Sequence, residues 1–550
     1  MRGVPPTGVP FQRAAMLRRL ADETFDVVVV GGGITGVGVA LDAASRGLRT
    51  ALVEKGDFAS GTSSKSSKLV HGGLRYLQQG EVRLVYEALA ERQRLRHNAP
   101  HLVRVLPFLI PILNRDGVVN PKIARALGTA MWGYDLTGGL RIGKRHKRIS
   151  AAEALAYVPT MPAERVASAY LYYDARADDA RLCLTVARTA AAYGAAVVNH
   201  AAVAGLRKAA DGTVKAAVIE ADGTAIEVAT AVVVNATGVW SDDVRALDEG
   251  THPDSIRPAK GIHLTLPWDK VRNEIAVVIP VPKDRRSLFV VPWGDRTYVG
   301  TTDTDYDGPL DDPQCTPDDI AYVLRALNHS ITTGITEADI TGTWAGLRPL
   351  VKQTGGRTAD LSRRHQVTTS PSRVVSVTGG KLTTYRRMAA DTVDEVMDLL
   401  ERRGRSRTKR LRLLGAEGYT EPAESAGEAA HLAGRYGSEA ALVESLYDAD
   451  PALRQPLVPG LPYLAAEAVH SARHEMATTL DDVLARRTRA RLLARDASIA
   501  AAPAVAALVA PELGWDEDTQ AAQVRAYVDA ASAERDAAGL TAPLDAAFGV

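Results

Sequence analysis

Three glycines, Gly31, Gly33 and Gly36, follow the run Val27-Val28-Val29-Val30 in GxGxxG spacing, and the next apolar segment, Ala51-Leu52-Val53, ends in Glu54. A strand, a glycine turn, a helix and a second strand closed by a carboxylate are the parts of a dinucleotide site. Gly31 would make the tight turn, Gly33 would let the backbone approach a pyrophosphate, and Gly36 would let the helix pack on the sheet. Ile34 and Thr35 open that helix, whose first N–H groups are available to phosphates. Glu54 would take the ribose hydroxyls and repel a ribose 2′-phosphate, although Lys55 stands beside it, so NAD or FAD is expected rather than NADP.

A second glycine turn, Thr378-Gly379-Gly380-Lys381-Leu382-Thr383, joins a valine-rich strand to a helix that runs to about residue 400. It is not a P-loop, because Val375 stands where the first glycine belongs and Leu382 replaces the metal-binding hydroxyl. Lys381 at the helix start adds a positive charge to the helix dipole, and both would stabilise an anion or the negative edge of a reduced flavin. A third turn, Asn235-Ala236-Thr237-Gly238, closes the strand Val232-Val233-Val234; Ala236 and Gly238 would let a flat group come close to the backbone.

The elements that position these turns are legible from pattern. Residues 59–68 are too rich in hydroxyls to be core, yet Leu69-Val70-His71-Gly72-Gly73-Leu74-Arg75-Tyr76 resumes a defined pattern at once. A helix is expected at 82–97 with Val85, Leu89 and Leu95 on one side, and hairpin strands at 216–220 and 225–228. Further strands are expected at 263–266, 287–291 and 297–303. After residue 400 comes a basic stretch, Arg402 to Arg412, then alanine-rich helices in which Val469, Ala472, Met476, Leu480, Val483 and Leu484 recur at helical spacing. That predicts a small helical domain with its own core. His474-Glu475 is no zinc motif, since Thr478 stands where a second histidine is needed.

Composition excludes several classes. The chain has 550 residues, 46% hydrophobic and 24% charged, with a formal net charge of +1. No overall field steers nucleic acid and no nucleic-acid-binding motif is present. Two cysteines, Cys183 and Cys315, are too few for a disulfide framework or a metal cluster and fit a reducing compartment. Residues 1–24 read as a flexible tail without the apolar segment of a secretory signal. No stretch is expected to reach the roughly eighteen apolar residues of a membrane span.

Taken together, the motifs resemble one family. The glycine turns, Thr62-Ser63-Ser64 with Ser66-Ser67-Lys68-Leu69-Val70-His71-Gly72-Gly73-Leu74-Arg75-Tyr76, Tyr172-Tyr173-Asp174-Ala175, Lys260-Gly261-Ile262-His263, Gly300-Thr301-Thr302-Asp303 and Gly346-Leu347-Arg348-Pro349-Leu350 closely resemble the FAD-dependent, respiratory glycerol-3-phosphate dehydrogenases. The likeness spans about residues 26–386 and continues at His474-Glu475-Met476-Ala477 and 482–489.

The resemblance implies bound FAD, oxidation of sn-glycerol 3-phosphate to dihydroxyacetone phosphate, and electrons passed to a membrane quinone. It implies FAD contacts from Gly31, Gly33, Ile34, Thr35, Gly36, Glu54, Thr62, Ser63, Ser64, Ser66, Ser67, Lys68, Leu69, His71, Ala236, Thr237, Gly238, Gly380, Lys381, Leu382 and Thr383. A dianionic phosphate calls for bidentate cationic donors, which the family pattern puts at Arg348 and Arg363, with Arg75 and Tyr76 as further pocket residues. Removing hydride from C2 needs a base for the hydroxyl proton, for which His71 and His263 are candidates, with Arg348 helping electrostatically and Lys381 at the flavin. The basic stretch after 400 and residues 141–148 (Arg141, Lys144, Arg145, Lys147, Arg148) could face anionic lipid on the cytoplasmic side of the plasma membrane or simply be solvated. A homodimer is compatible with the reading. The nearest alternative is a glycerophosphate oxidase that uses oxygen; an insertion carried by such oxidases is not seen here. A flavin oxidase acting on an amino or hydroxy acid would want one arginine and no phosphate clamp.

The expected architecture is α/β. A Rossmann-like FAD-binding domain (25–97, 165–255, 345–400) is interleaved with an antiparallel-sheet substrate domain (98–164, 256–344), and a C-terminal α-helical domain (410–545) follows.

Overall fold

The computed structural model describes residues 11–73, 81–114, 128, 131–135, 142–284, 286–352, 365–423 and 426–540. With strands numbered along the chain, a first sheet contains β1 (Phe25–Val30), β2 (Thr50–Val53), β7 (Ala196–Val198), β8 (Ala202–Lys208), β9 (Val214–Ala221), β10 (Thr224–Asn235), β17 (Gln366–Thr369) and β18 (Val374–Thr378). The second contains β3 (Leu69–Val70), β4 (Arg104–Leu113), β5 (Lys147–Ser150), β6 (Val166–Arg176), β11 (Ile256–Pro267), β12 (Ala276–Pro280), β13 (Ser287–Trp293), β14 (Arg296–Gly300), β15 (Thr304–Asp305) and β16 (Gly342–Val351).

The first sheet runs β17-β18-β10-β1-β2-β7. Strands β18, β10, β1, β2 and β7 are parallel to one another, β17 pairs antiparallel with β18, and β8 and β9 extend β10 as an antiparallel ribbon. The strand β1 is buried over its whole length, as a valine run covered on both faces must be. Helices α1 (Arg13–Asp22), α2 (Ile34–Ser45), α3 (Val82–Asn98), α4 (Asp179–Ala192) and α5 (Tyr385–Leu399) include the elements that cover this layer and join it to the next. The second sheet, ordered β15-β11-β14-β13-β12-β4-β6-β3, is antiparallel except where β12 meets β4, and β16 pairs with β11 along ten positions.

Four expectations need correction. Residues 13–22 are not part of a loose tail: Met16 and Leu20, four apart, are fully buried, and Arg13 donates to the carbonyls of Asn199 at 3.0 Å and His200 at 2.9 Å. The chain crosses between layers at other points than expected, because β6 pairs with β4 and β16 with β11; residues 69–70, 166–176 and 345–351 therefore belong to the second sheet. The expected strand 297–303 ends at Gly300, and residues 301–303 turn to meet Arg348. Finally, the helix Arg495–Leu513, which carries Pro503 and Pro511 within it, is long and apolar enough to cross a membrane. Its Ile499, Val505 and Val509 pack into the C-terminal core, as a core helix does.

That core also contains Leu480, Val483, Leu484 and Tyr527, whereas Met476 packs into the core of the first sheet. The helical domain is thus pinned to the body by both apolar and ionic contacts. Arg487 pairs with Asp57 at 2.5 Å, Arg188 with Glu439 at 2.8 Å, and Arg489 with Asp179 at 2.9 Å.

Candidate active site

A cavity of about 400 Å³ opens at the carboxyl ends of β1 and β10, where the strand order reverses about β1. This is the crevice in which open α/β sheets hold their ligands. Gly31, Gly33, Ile34 and Thr35 form one wall, Ala236, Thr237 and Gly238 a second, and Gly379, Gly380, Lys381 and Leu382 a third. The glycines are dictated by contact. A Cβ on Gly31, whose φ is +107°, would lie 2.8 Å from the Ala236 carbonyl oxygen, and one on Gly36 would lie 1.9 Å from that of Gly31. Gly36 therefore packs helix to strand and does not line the cavity.

Glu54 also lines it. Its carboxylate accepts the backbone N–H of Gly32 at 2.6 Å and of Gly56 at 2.8 Å, while burial pushes its pKa up. Each carboxylate oxygen has a second lone pair for a ribose hydroxyl. The wall further includes Lys55, residues 201–203 and Trp240, which the sequence reading had not singled out for the cavity. Trp240 carries a buried indole N–H with no acceptor among the described residues, and a Cβ on Gly61 would lie 3.0 Å from its ring. Cradle, carboxylate, helix N-terminus and orphaned donor fit a dinucleotide cofactor such as FAD. The signal for Trp240 is its place two residues after the Ala-Thr-Gly turn.

The second sheet presents the other half of the site. Directly paired positions share a face, so Phe289, Gly300, His263 and Trp344 form one row across β13, β14, β11 and β16, with Arg348 on the same face of β16. His263 stacks on Trp344 at 4.7 Å. The face is stripped at Gly261 and Gly346: a Cβ there would meet Arg348 Nη2 at 2.6 Å and the Lys65 carbonyl oxygen at 2.6 Å, respectively. Small residues thus let residues 62–68 of the first layer lie against the sheet.

Arg348 is held rather than waving in solvent. Its guanidinium donates to Asp303 Oδ1 at 3.1 Å, Thr301 Oγ1 at 3.2 Å and the Thr302 carbonyl at 3.3 Å, and the next residue, Pro349, lines the cavity. The imidazole Nε2 of His263 shares a hydrogen bond of 2.9 Å with Ser67 Oγ, and its buried Nδ1 has no partner among the described residues. Burial, with Lys68 and Arg348 nearby, drives its pKa well below the ordinary histidine value, so it is neutral. The backbone N–H of His71 donates to Thr383 Oγ1 at 3.2 Å, and its ring meets Phe289 edge-on at 6.2 Å.

The hydroxyl-rich segment divides. Thr62 and Ser63 line the cavity, with Ser63 Oγ accepting the Ile34 N–H at 2.9 Å. Ser64, Ser66, Ser67, Lys68, Leu69, His71 and Thr383 do not line it. Ser66 and Lys68 both reach Asp179: Ser66 Oγ donates at 2.7 Å and Lys68 Nζ at 2.9 Å. A buried carboxylate at a helix start takes both groups because its charge needs partners. Arg75, Tyr76 and Arg363 lie outside the described residues. The carboxylates Asp57 and Asp482 approach His200, but both are paired with Arg486, so they read as part of a domain contact.

Comparison with known proteins agrees with this geometry. Residues 26–386 match the FAD dependent oxidoreductase family, and residues 406–520 match the C-terminal domain of alpha-glycerophosphate oxidase. The chain is 42% identical over 538 residues to glycerol-3-phosphate dehydrogenase 2 of Mycobacterium tuberculosis, covering 95% of this chain and 91% of that protein. It superposes on the glycerol-3-phosphate dehydrogenase from Bacillus halodurans complexed with FAD with a TM-score of 0.76 and 28% identity, over 98% of each chain. The L-alpha-glycerophosphate oxidase from Mycoplasma pneumoniae, 17% identical, shares the fold over 70% of this chain and 97% of its own, with a TM-score of 0.54. The chain therefore belongs to the FAD-dependent oxidoreductases, within the glycerol-3-phosphate dehydrogenase family.

Proposed function

We propose that this protein oxidises sn-glycerol 3-phosphate to dihydroxyacetone phosphate and passes the electrons to a membrane quinone. The observation that carries the reading is the juxtaposition of the cavity with a sheet face bearing Arg348 and His263: Pro349 is on the cavity wall and its neighbour Arg348 is held beside it. Bound FAD supplies the acceptor for the hydride removed from C2. The chain's own residues do the rest. Arg348, with Arg363 as the resemblance implies, clamps the phosphate by charge-assisted hydrogen bonds and so orients C2. His71 and His263 are the candidate bases for the hydroxyl proton, and the lowered pKa of the buried His263 makes it the weaker base and favours His71. His263 then serves to hold the substrate side of the pocket through Ser67 and Trp344. Lys381 puts a positive charge on the cavity wall, where it would stabilise the negative charge of a reduced flavin.

The test is the visible spectrum without oxygen. Flavin bands should bleach on addition of glycerol 3-phosphate and return when a soluble quinone is added. A protein that does not bleach sinks the substrate assignment. Return of the bands with oxygen faster than with quinone, together with peroxide formation, replaces the quinone acceptor by the oxidase reading.

We also propose peripheral attachment to the cytoplasmic face of the membrane. Val82, Tyr86 and Trp132 are exposed large apolar side chains, and Lys144, Arg145, Lys147 and Arg148 are exposed close to Trp132, which packs on His146 at 5.3 Å. Apolar insertion flanked by basic residues suits an anionic surface, each cation adding about 1 kcal/mol. Binding to vesicles containing anionic lipid should weaken with salt and fall further in Trp132→Ser. Equal binding to neutral and anionic vesicles at every salt concentration would remove the electrostatic part.

A further inference from the structure

The segment that joins the two halves of the site is held from a third direction. Residues 64–68 run from the cavity wall, which ends with Ser63, to Ser67, which meets His263. Nearly every backbone group there is spoken for. The Ser66 carbonyl accepts Trp344 Nε1 at 3.2 Å, the Ser67 carbonyl accepts the Tyr298 hydroxyl at 2.8 Å, and the Lys68 carbonyl accepts the Ala177 N–H at 3.0 Å. Lys68 itself has φ +56°, a conformation that a lysine adopts only under restraint.

The Ser64 carbonyl accepts Lys68 Nζ at 2.9 Å and Arg489 Nη2 at 2.5 Å. Arg489 comes from the C-terminal helical domain. The same Nη2 donates to Asp179 Oδ1 at 2.9 Å, and Asp179 Oδ2 in turn accepts the Ser66 N–H at 3.1 Å. Side chains of Arg489, Lys68 and Asp179 are 1%, 3% and 0% exposed, so these contacts are made where water cannot substitute.

We propose that Arg489 is a positioning residue of the active site: by bridging Ser64 and Asp179 it fixes residues 64–68 and, through Ser67, the imidazole of His263. The C-terminal domain is on this account a working part of the catalytic centre. The inference rests on the functional reading above, and its test separates the two. The two N–H groups of Nη2 reach both acceptors at once, while Nη1 donates to the Ala485 carbonyl at 3.1 Å and holds the guanidinium plane in place.

The experiment follows anaerobic bleaching of the flavin-loaded enzyme by glycerol 3-phosphate and separates the limiting rate from the substrate Kd. In Arg489→Met the limiting rate should fall about tenfold or more, the cost of a small displacement at the reacting centre, while Kd changes little because Arg348 is untouched. Arg489→Lys should recover part of the rate. The comparison is Arg188→Met, which removes a different ion pair of the same domain contact, that with Glu439, and should leave the rate within about twofold. If Arg489→Met loses its flavin, Ser67→Ala tests the last link in a folded protein and should show the same loss of rate. An unchanged rate in either Arg489→Met or Ser67→Ala overturns the proposal, as does an equal loss in Arg188→Met. If the wild type is not bleached at all, the functional reading fails, and the inference is decided by the ring nitrogen resonance of His263. That signal, identified by its loss in His263→Asn, must move in Arg489→Met and stay in Arg188→Met; if it stays in both, the proposal is wrong.

Discussion

Replacing both Arg348 and Arg363 by alanine lowers kcat/KM for glycerol 3-phosphate by about 10²- to 10⁴-fold, since each hydrogen-bonded cation on a phosphate contributes roughly 1.5 to 3 kcal/mol. Arg348→Ala alone gives about 10- to 10²-fold. The structure adds a control to this expectation. Arg348 is tied to Asp303 and to residues 301–302, so its removal also leaves a carboxylate that is only 9% exposed with one cation fewer. Arg348→Lys keeps that charge but not the bidentate fork, and should recover only part of the loss. Glycerol, which has no phosphate, discriminates the causes. If the arginine acts on phosphate, the slow turnover of glycerol is nearly unaffected by Arg348→Ala, and the ratio of the two substrates collapses. Near-normal kcat/KM for glycerol 3-phosphate in the double variant would show that the phosphate lies elsewhere.

Acidification should destabilise the fold well above the range in which carboxylates titrate. Burial drives His101 down to about 4 and His470 down to about 3, and both rings sit where the C-terminal region meets the body. His101 packs on Tyr419, with its Nε2 3.1 Å from where a Cβ on Gly415 would lie. His470 lies 5.1 Å from the Tyr436 ring and 3.6 Å from the Glu475 carboxylate. Histidines with lowered folded pKa values are stabilised as neutral rings. That contribution is complete above the unfolded value of about 6.5 and is lost as the pH falls toward the folded values. At about pH 5 each costs about 2 kcal/mol, at 1.36 kcal/mol per unit. His263 shifts in the same direction, and His200, raised by its bond to Asp482, opposes them. Glu475 is held at about 2, its burial outweighed by Arg181 with the other nearby cations, and loses its contribution only below about 4.5, whereas Glu54, raised by burial, takes up its proton in the fold above that and opposes the histidines, which outnumber it in the window from about 6.5 to 4.5. Urea unfolding should give a lower midpoint at about pH 5 than at pH 7, and a double His101→Gln, His470→Gln variant should flatten the difference. Equal midpoints in the wild type would refute the assignment.

Much of the site was legible because its chemistry is local in the chain. Gly31, Gly33 and Gly36 act within one turn, and the Ala236 and Gly380 turns announce themselves by small residues after apolar strands. The helix Val82–Asn98 and the hairpin of β9 and β10 follow from periodicity alone, since each buries a face that its own spacing defines. What pattern could not show is which distant groups would claim a polar side chain. The resemblance puts Ser66 and Lys68 at the cofactor, and the fold adds a partner that the sequence does not announce: Asp179, 111 positions beyond Lys68, holds both in a buried network. The tail helix Arg13–Asp22 was hidden for a similar reason: two apolar residues are too few to predict a core contact until a sheet is there to receive them.

The sequence by itself determined the dinucleotide turn, the layered α/β architecture and the family, because backbone approach, hydrophobic period and motif order are properties of neighbouring residues. The tertiary structure decided the rest. It set the crossing points between the two sheets, the pairing of Arg348 with Asp303, the neutral state of His263 and the reach of Arg489 into residues 64–68. Those depend on desolvation and on charges brought together across hundreds of positions, and neither quantity exists until the chain is folded.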